Sequence, residues 1–170
     1  KYRPTSMEDM VLPEGIGERL RKIAEAKGGM SMLFYGKPGM GKTTIAKLIN
    51  AENTLFLNCT LNNSVAMVKD LERNCSSMTL TGERRTVILD EADYLNPQST
   101  QPALRGFIEE FANNCRFILT CNFKNKIIDP LHSRCGVYEF NTSKKDLPKL
   151  AQDFYSRLLY ILDKEGIKHD

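Results

Sequence analysis

The chain has 170 residues, 41% hydrophobic, 26% charged and 8% aromatic, with 11 Gly and 7 Pro. These are globular proportions for one domain, or one and the start of another, and they exclude disordered, collagen-like and low-complexity classes. The formal charge is only +3, with the basic residues scattered, so charge alone does not argue for nucleic acid, and no apolar run approaches the ~20 residues of a membrane helix.

In chain order, an amphipathic helix is predicted over Gly17–Ala26, with Ile16, Leu20, Ile23 and Ala24 on one face. A strand follows at Met32–Tyr35, then a glycine-rich loop and a helix over Thr43–Ala51. The next strand is Leu55–Cys59 and the next helix Ser64–Ser76. Val87–Leu89 reads as a strand, and Gln98–Ala112 as a helix whose first turn suits Pro97. Strands Phe117–Cys121 and Val137–Phe140 complete the set. Most are continuous apolar runs, the pattern of strands covered on both faces. Strand–helix alternation at this spacing predicts an α/β fold, a five-stranded parallel sheet with right-handed crossovers and helices on both faces.

After Phe140 the pattern changes. Asn141-Thr142-Ser143 reads as a linker and cap, and Leu147–Leu162 as a long amphipathic helix carrying Leu150, Phe154, Leu158 and Ile161. One helix cannot bury its own apolar stripe, so residues 142–170 are expected to open a second, helical domain, with 1–141 forming the first. The five cysteines, Cys59, Cys75, Cys115, Cys121 and Cys135, are odd in number and contain no C-x-x-C pair. Reduced thiols in a reducing compartment are expected, and a thiol zinc site is not.

Gly36-Lys37-Pro38-Gly39-Met40-Gly41-Lys42-Thr43 fits G-x-x-x-x-G-K-[ST], followed by Thr44, and it sits between a predicted strand and a predicted helix. Such a loop turns backbone N–H groups toward phosphate oxygens, and the helix start adds its positive dipole end. Lys42 would reach the β and γ phosphates of ATP, and the Thr43 hydroxyl would ligate Mg²⁺. Thr86–Leu89 then runs into Asp90-Glu91 at a strand's C-terminal end. Following the phosphate loop, Asp90 reads as the Mg²⁺ acid, acting through water, and Glu91 as the residue that polarises the attacking water. Asn122, ending the strand Phe117–Cys121, is either a turn residue or a donor to the γ-phosphate or lytic water. Arg134, in the turn before the last strand, reads by itself as a surface cation before an arginine finger.

Lys1-Tyr2-Arg3-Pro4, the phosphate loop, Asp90-Glu91-Ala92-Asp93, Gln101-Pro102-Ala103-Leu104-Arg105 and Ser133-Arg134-Cys135 together resemble the sliding-clamp loaders, which are AAA+ ATPases. The likeness is closest to the ATPase subunit of T-even-type bacteriophage loaders, which is replication factor C small-subunit-like, and it runs from Lys1 to about Phe140. The resemblance implies that Lys1, Tyr2 and Val11 line the adenine pocket and that Asn122 is the first sensor. It makes Arg134 a finger acting in trans on a neighbouring subunit's ATP, and Gln101 and Arg105 a relay from DNA to the catalytic site. The helices at Ser64–Ser76 and after Glu91 would face DNA threaded through a spiral of subunits. Implied partners are the sliding clamp, the other loader subunits and primer–template DNA, in the cytoplasm (the host's, if the source is viral). Gly106 and Phe107 depart from the further Arg and apolar residue of many relatives. The second-sensor Arg and the collar domain are expected outside this sequence.

Two other classes compete. Asp-Glu-Ala-Asp matches an RNA-helicase box, but the Ser-Ala-Thr motif and second RecA-like domain that helicases use are not found in the sequence. A non-hydrolysing nucleotide scaffold would have no need of the intact Lys42, Thr43, Asp90 and Glu91. Other replication AAA+ ATPases, an initiator or a helicase loader, are the alternative reading.

Overall fold

The computed structural model describes residues 2, 4–7, 9–12, 15–25, 30–49, 53–76 and 84–168, with the backbone alone for 21–25. Among these, the elements run α1 (Ile16–Glu25), β1 (Met32–Tyr35), α2 (Lys42–Ile49), β2 (Thr54–Asn58), α3 (Val65–Ser76) and β3 (Arg85–Asp90). They continue with α4 (Thr100–Glu110), β4 (Cys115–Cys121), the one-turn α5 (Asp129–His132), β5 (Gly136–Glu139) and α6 (Leu147–Lys164). Short 3-10 turns occupy Ala92–Tyr94 and Lys124–Lys126.

The five strands form one sheet in the order β2-β3-β4-β1-β5, and every pairing is parallel. Apolar content follows position. The inner strands β3 and β4 are buried almost throughout, whereas edge strand β5 alternates half-buried and exposed residues. The two sheet faces carry separate cores. On one, α3 and α4 pack against Leu33, Val87, Leu89, Phe117 and Leu119, with Phe107 edge-on to Phe117 at 5.2 Å. On the other, Leu20, Ile45 and Ile49 pack against Met32, Phe34, Ile88, Ile118 and Phe140. Burying complete side chains of this size is worth roughly 1.5–3 kcal/mol each before conformational entropy is counted. The expected α/β architecture with helices on both faces is what the chain forms.

Boundaries moved where side chains compete with the helix. The helix expected from Gln98 begins at Thr100, because Asn96 Oδ1 accepts the N–H groups of Gln98 (2.8 Å) and Ser99 (3.1 Å) and holds Pro97–Ser99 as a turn. Strands β3 and β4 are longer at their starts than the apolar runs suggested, since Arg85 and Arg116 take ladder positions. Ile16 and Leu20 of α1 face the core as expected; the Ile23 and Ala24 side chains and residue Ala26 lie outside the described set. All five cysteines are buried free thiols. Helix α6 buries Leu150 yet leaves Phe154 and Leu158 half or more exposed.

Candidate active site

Strand order assembles the site. β4 lies between β1 and β3, with Tyr35 level with Cys121 and Leu89 level with Leu119. One step beyond each pair, Gly36 comes beside Asn122, and Asp90 beside Thr120. The phosphate loop, the acidic pair and Asn122 therefore meet at the C-terminal edge of the sheet, where α/β folds place ligands.

The loop needs its glycines for two different reasons. Gly36 has φ +145°, and a Cβ there would stand 2.6 Å from the Phe140 carbonyl oxygen. Gly41 has φ +85°, and a Cβ there would meet Met10 Cε at 2.8 Å. Lys42 opens α2 and is 7% exposed. Its Nζ donates to the carbonyls of Gly36 (2.6 Å) and Lys37 (2.8 Å) and to Asn122 Oδ1 (3.0 Å). Burial pushes the Lys42 pKa down, and the nearby Cys121 sulfur and the Asp93, Asp90 and Glu91 carboxylates oppose that shift. A cation so placed, on a helix N-terminus, makes a cradle for a polyphosphate.

The acids are tied to the loop by hydroxyls. Thr43 Oγ1 donates to Asp90 Oδ1 at 2.7 Å, and Thr120 Oγ1 donates to the same oxygen at 2.6 Å. The Thr120 hydroxyl also accepts the Glu91 N–H at 3.1 Å. Glu91 sits at φ 58°, ψ 44°, the one left-handed non-glycine residue among those described. A left-handed side-chain-bearing residue costs about 1–3 kcal/mol, and such strain gathers at functional sites. Asp93, in the turn that follows, accepts the N–H groups of Asn122 (3.2 Å) and Phe123 (3.3 Å) through Oδ2.

Beside the loop lies a cavity of ≈ 460 Å³ between the N-terminal segment, the start of α2 and α6. Tyr2, Val11, Gly39, Met40, Gly41 and Thr44 line it, as do Met10, Leu150, Phe154 and Ile161. Asp9 accepts from Arg157 Nη1 at 3.0 Å across one side, and the Tyr2 hydroxyl donates to Glu165. A mostly apolar slot next to a phosphate cradle suits a planar base. Lys1, expected in this pocket, is outside the described residues.

The donor set fits Mg²⁺·ATP. Thr43 and Asp90 offer a hydroxyl and a carboxylate, the sparse protein ligation suited to an ion that keeps most of its waters. No group of three or more His, Cys, Asp or Glu able to hold a metal occurs among the described residues.

The remaining candidates lie further out. Gln101 is fully buried: its Nε2 donates to the carbonyls of Leu95 and Lys126, each at 2.9 Å, and its Oε1 accepts the Ile128 N–H at 2.9 Å. Arg105, one turn on, is exposed. Arg134 is ion-paired with Glu109 and donates to the Pro130 carbonyl at 2.7 Å. It precedes β5, whose first residue Gly136 is level with Met32 at the opposite end of β1 from the phosphate loop. Sequence reasoning missed Thr120 and the role of Asp93. The one signal for Thr120 was a hydroxyl interrupting an apolar run two residues before Asn122.

Residues 32–142 match the ATPase family associated with various cellular activities (AAA). The chain is 38% identical, over 99% of its length, to the replication factor C small subunit of Natronomonas pharaonis. It is 37% identical, over 100%, to that of Thermofilum pendens. It spans 52% and 53% of those relatives, about half their length. Among solved structures, a RuvB variant of Thermotoga maritima superposes with TM-score 0.71 at 24% identity, covering 92% of this chain and 55% of that one. A DNA polymerase III gamma subunit-related protein of the same organism gives 0.63 at 18% identity, covering 85% and 57%. At these identities the two structures speak for the fold.

Proposed function

The chain belongs to the AAA family of ATPases, and from that premise we propose that it is the ATP-hydrolysing module of a DNA-polymerase sliding-clamp loader. The observation that carries this reading is the joining of the phosphate loop to two strand ends: Thr43 to Asp90 at 2.7 Å and Lys42 to Asn122 at 3.0 Å. The likeness to replication factor C small subunits supports the loader assignment. The likeness to T-even-type bacteriophage loaders is carried by the motifs and their order, and the setting in this reading is the cytoplasm, the host's if the source is viral; no described helix is long and apolar enough to cross a membrane.

In this reading Lys42 and the loop N–H groups bind the β and γ phosphates, while Tyr2, Val11 and Thr44 flank the base. Thr43 directly, and Asp90 through water, would hold Mg²⁺, which neutralises phosphate charge when bound. Glu91 orients and polarises the attacking water. Asn122 senses the γ-phosphate, and Arg134 completes the site of an adjacent subunit. Residues 1–141 form the ATPase domain and 142–170 open a helical lid, consistent with the exposed Phe154 and Leu158 of α6. The partners are the clamp, sister subunits and primer–template DNA, with α3 and α4 toward the DNA. Gln101 and Arg105 would relay its arrival. The test is the ATPase rate of the full-length protein with and without primed DNA and a clamp. Stimulation by both together is expected; a rate indifferent to both would overturn the loader reading while leaving ATP hydrolysis standing.

A further inference from the structure

Asp93 is a buried carboxylate, 8% exposed. Burying a carboxylate is costly unless hydrogen bonds compensate it. Here Oδ2 accepts two backbone N–H groups, from Asn122 and Phe123, while Oδ1 is buried and has no hydrogen-bond partner among the described residues. Asp93 also lines a cavity of ≈ 700 Å³ between the starts of α3 and α4 and the Asn125–Ile128 segment. A half-satisfied buried acid is poor design for a mere strut. It is reasonable design for fixing the peptide that carries Asn122.

The geometry is specific. Asp93 comes from the turn after β3 and grips the first two residues after β4. Gln101, from α4, grips the far end of the same segment through the Lys126 carbonyl and the Ile128 N–H. Residues 122–128 are therefore pinned at both ends by side chains that follow the acidic pair in sequence. Asn122, at the end held by Asp93, accepts from Lys42 Nζ through its side-chain Oδ1 at 3.0 Å.

We propose that Asp93 is a positioning residue for ATP hydrolysis: its two hydrogen bonds set the Asn122 backbone, so turnover depends on Asp93 while nucleotide binding does not. The proposal rests on the ATPase reading above. What it requires of Asp93 is an acceptor oxygen at that place, not a charge.

The test compares the full-length protein in its assembled form with its Asp93→Ala, Asp93→Asn and Asp93→Glu variants. It measures kcat, KM for ATP, affinity for a fluorescent ATP analogue, and amide exchange at Asn122 and Phe123. Asp93→Ala should lower kcat by at least about tenfold with KM and affinity within about threefold, and speed exchange at those two amides. Asp93→Asn, which keeps an acceptor oxygen, should recover most of the rate. Should Asp93→Ala fail to fold, Asp93→Glu carries the same expectation as Asp93→Ala, because its carboxylate lies one methylene too far. A folded Ala or Glu variant with the parent kcat overturns the proposal, as does a fall in affinity that matches the fall in kcat. Failure of Asp93→Asn to recover the rate overturns it too, since charge would then be what matters. If the parent protein itself does not hydrolyse ATP, the ATPase reading is what fails.

Discussion

Thr120 and Asp90 are joined by a hydrogen bond of 2.6 Å between neighbouring strands, and the same Thr120 hydroxyl receives the Glu91 N–H at 3.1 Å. One buried hydroxyl thus holds both acids of the candidate site. It orients the Asp90 carboxylate toward Thr43 and ties down the left-handed peptide of Glu91.

Thr120→Val keeps the shape and removes the hydroxyl. The Glu91 N–H and one Asp90 lone pair lose their partner, which costs about 1–3 kcal/mol for a buried group. Stability should fall by that amount in urea unfolding. Turnover should fall by about tenfold or more, because Glu91 loses the contact that fixes its strained backbone. A valine variant with unchanged kcat would mean that Glu91 holds its conformation without Thr120.

The two acids should separate experimentally. Glu91→Gln keeps size and hydrogen-bonding capacity but removes the base, so nucleotide affinity should persist while turnover is lost. Asp90→Asn should weaken the Mg²⁺ dependence of nucleotide binding instead, seen as a right-shifted Mg²⁺ titration of a fluorescent ATP analogue. Parent-rate hydrolysis by Glu91→Gln would remove Glu91 from the chemistry.

Much of this was legible in the residues. Met32–Tyr35 was read with its observed bounds, and the loop, Asp90, Glu91 and Asn122 come together at one sheet edge. What stayed hidden depends on register. Nothing in Thr120 or Asp93 as residue types tells which strand end they will meet. Only the β3–β4 pairing, Leu89 opposite Leu119, brings Thr120 level with Asp90. The same holds for Gln101, whose hydrogen bonds to the Lys126 carbonyl and the Ile128 N–H follow from how α4 packs and not from its residue type. Helix starts were misread where a side chain, Asn96, captured the first N–H groups.

The thiols predict an alkaline limit. Burial pushes Cys59, Cys121 and Cys135 up to about 12, and for Cys59 the Asp90, Asp93 and Glu91 carboxylates add to it. In the unfolded chain these thiols would lose their protons near pH ~8.5. Above that pH the unfolded state binds fewer protons than the native one, so the unfolding free energy falls as pH rises toward 12. The stability is whole below pH ~8.5 and is lost progressively above it. Urea unfolding at several pH values from neutral to strongly alkaline should show the decline, and Cys59→Ala should make it shallower. An identical slope in that variant would assign the decline to other groups.

Arg134 lies where it cannot serve its own phosphate loop. Gly136 is level with Met32, and the loop begins after Tyr35, three residues further along β1. At about 3.3 Å per residue, the loop is at least about 10 Å up the sheet from the level of Gly136, and Arg134 comes before that residue. Glu109 and the Pro130 carbonyl hold its guanidinium, and the side chain as a whole is 29% exposed, so the cation is held in place without being fully buried. If Arg134 is the proposed finger, it acts on a neighbour's site, and hydrolysis then requires assembly. Dilute protein should bind ATP while hydrolysing it slowly, with the rate per chain rising as concentration favours association. Arg134→Ala should leave ATP affinity nearly intact and remove most turnover, up to the 10³–10⁵-fold that arginine fingers supply. Glu109→Ala should cost less, because it frees the guanidinium without removing it. The decisive measurement mixes Arg134→Ala protein with Glu91→Gln protein, each inactive alone. If the finger works in trans, mixed assemblies contain sites that pair an intact Glu91 with a neighbour's intact Arg134, and activity returns. No recovery in assemblies shown to contain both variants would return Arg134 to the role of a surface cation paired with Glu109.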